Sequence, residues 1–574
     1  LRKRWVLPAA VPVAVQDALV GYTDLQQRIL YARGIHDRKS AERYLLGRDV
    51  QEHDPFLMQG MKRAVNRIRE AERRGEHVVV YGDYDADGIT ATTLLLEAFK
   101  AFGLDASHYI PSRFDEGYGL NTDALDEIAA RGASLVVTVD CGVRAHPEAE
   151  HAARIGLDLI VTDHHHPGTE LPPALAVINP RQAGDAYPFK QLAGVGLAYK
   201  LAQALSEDGS NFDPTSSLDL VAIGTVADLA PLVGENRTLV QKGLVQLNVT
   251  ERIGLRSLVL KTGYSFGGLD TISIGFGIGP RLNAAGRLTT AEKALQLLQA
   301  QDSSLAEQAA DELDRINVKR RRITADVLEK ARDLVIEHVE QPGVLFAVDE
   351  SFEEGVVGLA ASRLTDEFYR PAVVAHRGDA ETRASARSIP EFHITEALEA
   401  CSDLLIRYGG HRSAAGFSVR NQDITLLKDR LNRLAMKRLS SLDLRPELNV
   451  DACVKLTEMD WELLDFIHQL EPCGQKNPRP IFAAEHVRIL EKRCVGSEGK
   501  HLKLLLSDGG KAFDAIAFRL GHLEPGLPDE VDVAFRLERN DYMGVSNLQL
   551  NIEDVRPAGS FEDAQLTLMD YSGH

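Results

Sequence analysis

Cysteine is scarce. Only Cys141, Cys401, Cys453, Cys473 and Cys494 occur among 574 residues, with no C-x-x-C pair, which argues against a disulfide framework or a thiolate zinc site. Long apolar runs are also missing. No stretch approaches the ~20 residues that span a bilayer, and the N-terminal LRKRWVLPAAVPVAV is interrupted by Pro8 and Pro12, so no membrane partner is expected and the cytosol is the expected compartment. Positive charge is in deficit, with 65 Lys and Arg against 84 Asp and Glu, a net charge of −19. Such a surface does not attract nucleic acid as a whole. Net charge nevertheless says little about one groove. Basic groups cluster at Lys319–Arg322, and carboxylates filled with divalent cations present positive charge to a phosphate.

A chain of this length exceeds what one core organises and divides into several domains. Residues 1–55 read as an N-terminal segment. From 56 to 301 apolar strands (77–82, 135–140, 158–163) alternate with helices (61–74, and one from Ile89), the pattern of an α/β domain with a mostly parallel sheet. Residues 302–340 contain no Pro or Gly and are rich in Ala, Leu, Glu and Arg, which predicts a connector helix over 302–341. A second α/β domain is expected at 342–440, a small β-barrel of alternating strands at 441–557, and a loose polar tail at 558–574.

The stretch VVVYGDYDADGIT, residues 78–90, runs from an apolar strand into Asp83, Asp85 and Asp87, followed by Gly88. It opens like a calcium loop, but the glutamate due six residues after the glycine is Leu94, and a strand precedes it where an EF-hand has a helix. Two further strands also end in acid: one at Asp140, the other at Asp163 followed by His164, His165 and His166. Ligands of open α/β sheets bind beyond the carboxyl ends of strands, so these groups are expected to converge. Asp228, in AIGTVADLAPL, is a further candidate whose helical register stays open. Any one aspartate after a strand is as often a helix cap or turn former, and Cys141 reads as a small buried residue. The conjunction points further. Crowded carboxylates and imidazoles repel unless cations neutralise them, and oxygen-rich donors without thiolate favour a pair of Mn²⁺ or Mg²⁺ ions suited to phosphoryl displacement.

The motifs GDYDADG, VDCG, TDHH, GTVADLAPL, GPRLNAAGR and GGHRSAAGF, in this order within residues 25–557, resemble those of the DHH phosphoesterase superfamily, and within it the bacterial single-strand exonucleases. The resemblance implies a DHH domain holding two Mn²⁺ or Mg²⁺ ions, a long helix, a DHH-associated domain and an oligonucleotide-binding (OB-fold) barrel. It implies Asp85, Asp87, Asp140, His164 and Asp228 as metal ligands, with Asp140 bridging, Asp83 a less settled candidate, and His165 facing the scissile phosphate. Asp140, Asp85 and His165 are thus the expected catalytic set. Relatives that begin this motif with a metal-binding histidine have it where this chain has Tyr81, which implies one weaker ion. Arg113, Ser385 and Arg387 are implied to grip a terminal 5′-phosphate; Arg281, Asn283 and His411 to line the strand; Tyr118 to stack a base. Read without the family, Arg113 is a partner for Asp115, and GGHRSAAG a tight turn opening a helix. The implied activity is 5′ to 3′ hydrolysis of single-stranded DNA in recombination and repair, by a monomer working with single-strand-binding protein. Two alternatives stand beside it, a phosphodiesterase for oligonucleotides or cyclic dinucleotides and a non-catalytic replication scaffold. The first needs no barrel; the second is not expected to keep the full set of aspartates.

Overall fold

Runs of β-branched residues with no polar interruption form strands that are covered on both faces, and the sheet at the centre of the first domain is built from them. In the computed structural model, which describes residues 3–47, 52–206, 212–336, 343–542, 544–559 and 565–567, the strands are β1 (His77–Gly82), β2 (Asp105–Tyr109), β3 (Ala133–Val139), β4 (Asp158–Thr162) and β5 (Ala176–Ile178). All pair in parallel, in the order β2-β1-β3-β4-β5. The chain winds outward from β1 to β2 and then returns past β1 to β3. The crevice between the carboxyl ends of β1 and β3 is therefore the switch point where such sheets bind ligands. Strands β1, β3 and β4 match the expected runs, while β2 (DASHY) is a polar, half-exposed edge strand and β5 only three residues long, so neither carries an apolar signal.

Helix α1 (Ala86–Ala101) begins three residues before the expected Ile89, because Asp85 caps it: one Asp85 oxygen accepts the amides of Asp87 (2.9 Å) and Gly88 (3.1 Å). Its buried threonines Thr90, Thr92 and Thr93 return their hydroxyls to helix carbonyls, which satisfies polar groups in a helix covered nearly all round. Helix α2 (Gly194–Ser206) and helix α3 (Leu218–Ala227) are also almost wholly buried.

By contacts the chain divides into two compact units, the larger of residues 5–283, 291–311 and 448–574, the smaller of residues 1–4, 284–290 and 312–447. One unbroken helix, Ser303–Val335, contributes to both; the rest of the expected connector, 337–341, lies outside the described residues. In the smaller unit five strands run in the order Leu405–His411, Ala414–Arg420, Glu381–Arg387, Ala372–Arg377, Leu345–Asp349, with only the last pair parallel. The GGHRSAAG motif forms the hairpin of the first two strands and opens no helix. Gly410 is required there: at φ +147° it lets Ala414 O approach to 2.3 Å of where a Cβ would stand.

In the larger unit the strands Phe482–Val495, His501–Ser507, Ala512–Ala517, Val545–Pro557 and Glu530–Tyr542 close into a barrel, since Phe482–Arg488 pairs back onto Glu530–Phe535. The N-terminal residues are less separate than expected. Leu19, Leu25, Ile29, Leu30 and Leu45 share one core with Leu463, Phe466, Leu504 and Val533 of the barrel region, and Arg33 is ion-paired with the buried Asp451 at 3.1 Å. The tail expected to be loose lies largely outside the described residues, but Gln565–Thr567 pairs in parallel with Val6–Pro8.

Candidate metal centre

The loop after β1, the turn after β3, the turn after β4 and the end of α3 deliver their carboxylates and imidazoles to the switch-point crevice. Three sets have ligand atoms mutually within 4.8 Å: Asp83, Asp85 and Asp140; Asp87, His164 and Asp228; Asp140, His164 and His165. Asp140 joins the first set to the third. His164 Nε2 lies 3.0 Å from Asp140 Oδ1 and 3.8 Å from Asp228 Oδ2. Asp228, whose register the sequence left open, is the C-cap of α3.

Burial and mutual repulsion push the carboxyls of Asp83, Asp140 and Asp228 well above the usual carboxylate range. Asp87 is pushed up to about 7 by burial and by Asp85, although it accepts the amides of Gly194 (2.7 Å) and Val195 (2.8 Å) at the start of α2. Asp83 Oδ1 is buried and accepts no hydrogen bond among the described residues, and the buried Asp140 Oδ1 meets His164 Nε2 at 3.0 Å as an ion-pair contact, not a well-formed hydrogen bond. Orphaned oxygens amid like charges are what a divalent cation resolves, and an all-oxygen-and-imidazole donor set fits Mn²⁺ or Mg²⁺. The backbone is fitted to the same end. Asp140 sits in the left-handed region, φ +62°, a strain of the kind stored at functional sites, and a Cβ on Gly194 would stand 2.7 Å from Asp140 Cβ.

His165 is held by Asp163, by Asn179 and by Tyr118, whose hydroxyl lies 3.2 Å from its Nδ1. Asp163 Oδ1 receives its Nδ1 at 2.8 Å and its amide at 3.0 Å, while Asp163 Oδ2 takes the Val143 amide. Asn179, at the end of β5, donates to His165 O. Burial lowers the imidazole's affinity for a proton, but the hydrogen bond and charge of Asp163 outweigh it and hold His165 up to about 9. Asp163 is thus an orienting group, a role its place at a strand end did not reveal, and Asn179 was missed because three-residue β5 hid its own strand end. Tyr81 turns away from the carboxylates: its ring stacks on Tyr109 and its hydroxyl donates to Gly119 O at 3.0 Å.

Comparison with known proteins adds a second kind of finding. Residues 77–225 match the DHH family N-terminal domain, 341–437 the DHHA1 domain and 450–554 the RecJ OB domain. The single-stranded-DNA-specific exonuclease RecJ of Bacillus subtilis is 38% identical over 541 residues, covering 93% of this chain and 68% of the relative. That of Salmonella typhimurium is 36% identical over 562 residues, covering 93% and 96%. This chain belongs to the RecJ family. Among solved structures, Thermus thermophilus RecJ in complex with Mn²⁺ superposes with a TM-score of 0.84 at 31% identity, covering 97% of this chain and 80% of that one, and its Mg²⁺ complex with 0.78 at 30%, covering 97% and 78%.

The remaining candidates of this RecJ-family chain fall into three places. Beside the metal centre, the Arg113 guanidinium lies 4.1 Å over the Tyr84 ring, and Asp115, its expected partner, accepts from Ser112 Oγ. Tyr118, 53% exposed, donates its hydroxyl to Asp140 O at 3.1 Å. Under the loop, Asn283 Oδ1 accepts the Ala86 amide at 2.8 Å, and Arg281 donates to Gly277 O and Lys261 O; both brace backbone in this structure, contacts that the motif alone did not suggest. In the smaller unit, Arg383, Ser385 and Arg387 alternate on one half-buried face of their strand, with Arg387 Nη1 donating to Ser385 Oγ at 3.0 Å. A Cβ on Gly358 would stand 2.9 Å from Ser385 Oγ. His411 is exposed at the end of its hairpin strand.

Proposed function

We propose that this chain degrades single-stranded DNA from its 5′ end by metal-dependent phosphodiester hydrolysis, in recombination and repair. The observation that carries this reading is the sharing of Asp140 between neighbouring ligand sets around orphaned, buried carboxylate oxygens. Asp83, Asp85 and Asp140 would hold one ion and Asp87, His164 and Asp228 the other, and Asp140, 3.0 Å from His164, would serve both. Two Mn²⁺ or Mg²⁺ ions held there would supply positive charge beside the phosphoryl oxygens and would lower the pKa of a water. His165, oriented by Asp163 through Nδ1, would give the proton on its Nε2 to the leaving O3′ as the oxygen of water bonds to phosphorus and the P–O3′ bond breaks. Arg113 in the larger unit, and Ser385 and Arg387 in the smaller, are each read as binding groups for a terminal phosphate, guanidinium being suited to paired hydrogen bonds with it. Tyr118 stacks a base, and Arg281, Asn283 and His411 line the strand's path or brace the backbone beside it. The barrel supplies a sequence-tolerant hold on the continuing strand. The protein works as a cytosolic monomer, with single-strand-binding protein as its partner.

The test presents the intact protein, with Mn²⁺ or Mg²⁺, with a long labelled single strand, a blunt duplex and a cyclic dinucleotide. Loss of nucleotides from the 5′ end of the strand, with the duplex untouched, is the expected result. Hydrolysis of the cyclic dinucleotide with the strand left whole would replace this reading with a small-substrate phosphodiesterase. Strand binding with neither metal supporting cleavage would replace it with a scaffold.

A further inference from the structure

Tyr84 stands in the sequence between Asp83 and Asp85, two members of one ligand set, and its ring does something neither carboxylate does. It carries the Arg113 guanidinium on its face, 4.1 Å from the ring centroid, and meets the Tyr118 ring edge-on, at 6.4 Å and 75°. Tyr118 in turn lies 5.8 Å and 73° from the His165 ring and reaches Asp140 O through its hydroxyl. A continuous line of ring contacts therefore runs from Arg113 to the imidazole and the backbone of Asp140.

The loop bearing Arg113 is also pinned from the other side. Glu116 accepts the Ser112 amide, the Tyr109 hydroxyl and Asn121 Nδ2, and Tyr81 holds Gly119. Asp115 is engaged by Ser112, and Arg113 Nε is buried without a hydrogen-bond partner among the described residues. The guanidinium thus rests on an aromatic face, near enough to Asp83 to draw on its charge but in no ion pair among the described residues, which keeps its hydrogen-bonding edge available to an anion while fixing its position.

We propose that Tyr84 is the positioning residue that fixes how far from the metal carboxylates a terminal phosphate is held, and so sets the register of cleavage from the 5′ end. This rests on the reading of Arg113 as a reader of that phosphate. Because Tyr84 belongs to the metal loop itself, the ring that seats the guanidinium shares one short piece of backbone with Asp83 and Asp85. A strand end is then gripped at a fixed reach from the scissile bond, independent of base identity.

The experiment compares wild type with Tyr84→Leu, Tyr84→Phe and Arg113→Ala on strands ending in 5′-phosphate or 5′-hydroxyl. The readouts are the ratio of kcat/KM between the two ends within each variant, the lengths of the first products, and Mn²⁺ affinity by calorimetry. Tyr84→Leu should lower the 5′-phosphate preference about tenfold, the size of a partly buried cation–π contact, and turn a single product length into a mixture, at unchanged Mn²⁺ affinity. Tyr84→Phe, which keeps the ring, should keep both properties. If Arg113→Ala loses the preference while Tyr84→Leu keeps it, the role of Tyr84 is refuted and the end reader stands. Should Arg113→Ala leave the preference intact, the end reader itself is refuted, and the inference with it. Loss of Mn²⁺ affinity in Tyr84→Leu with an unchanged end preference would make the ring a support of the metal loop alone.

Discussion

The two α/β sheets of this chain place their chemistry differently. The all-parallel sheet of the larger unit works beyond its strand ends: Asp83, Asp140, Asp163 and Asn179 each follow the last residues of β1, β3, β4 and β5. The mixed sheet of the smaller unit instead presents its candidate polar groups on a strand's face, where Arg383, Ser385 and Arg387 alternate with buried Thr382, Ala384 and Ala386. Strand ends converge from several directions and can surround an ion with oxygens, at the cost of burying like charges together. A strand face offers a flat row of side chains spaced two residues apart, which suits hydrogen bonding to an extended anion.

The largest effect should come from the end-built site. Asp140→Ala removes the carboxylate common to neighbouring ligand sets, so turnover should fall by more than the roughly 100-fold that losing a supporting hydrogen bond to a metal ligand costs, while gel-shift binding of a single strand survives. Retention of a tenth of the rate would show that the ends do not act as one site. A step down lies Asp163→Asn. Its carboxylate orients His165 but belongs to none of the ligand sets, so kcat should drop about 10- to 100-fold with Mn²⁺ affinity kept; a matching fall in metal affinity would make Asp163 part of the coordination.

The smallest effect separates the two designs by a single substitution made twice. Alanine at Gly194 drives a methyl to 2.7 Å of Asp140 Cβ, where a buried carboxylate on left-handed backbone has little room to yield, and about 1 to 3 kcal/mol of stability should go with the metal affinity. At Gly358 the nearest atom is Ser385 Oγ at 2.9 Å, a hydroxyl that rotates. The helix Glu354–Phe368 gains up to about 1 kcal/mol from alanine in its interior, so thermal stability should hold while the 5′-phosphate preference weakens. Equal destabilisation at the two positions would erase the distinction.

How much of this was legible beforehand follows from range and from direction. Strands β1, β3 and β4 announce themselves as apolar runs, and the acids at their ends follow from position. Polar β2 and three-residue β5 have no such signal. The aspartate of D-H-H is legible as a residue but not as an orienting group, since that depends on which oxygen meets which ring nitrogen. GGHRSAAG fits a helix start or a hairpin equally well until Gly410 is seen pressed against Ala414. The cation over Tyr84 joins residues 29 positions apart, and no local pattern encodes it.

The shared core of the N-terminal helices and the barrel has a consequence for synthesis. Leu19, Leu25 and Ile29 must wait for partners such as Leu463, Leu504 and Val533, more than 400 positions later in the chain. At roughly 5 to 20 residues per second on the ribosome, their apolar faces stay uncovered for about 20 to 90 seconds after emerging. The parallel sheet, whose strands all lie between residues 77 and 178, can close long before that. The nascent chain therefore completes the parallel sheet while the barrel is still unfinished, with the apolar faces around Leu19 and Ile29 exposed in the interval, where a chaperone has reason to meet them.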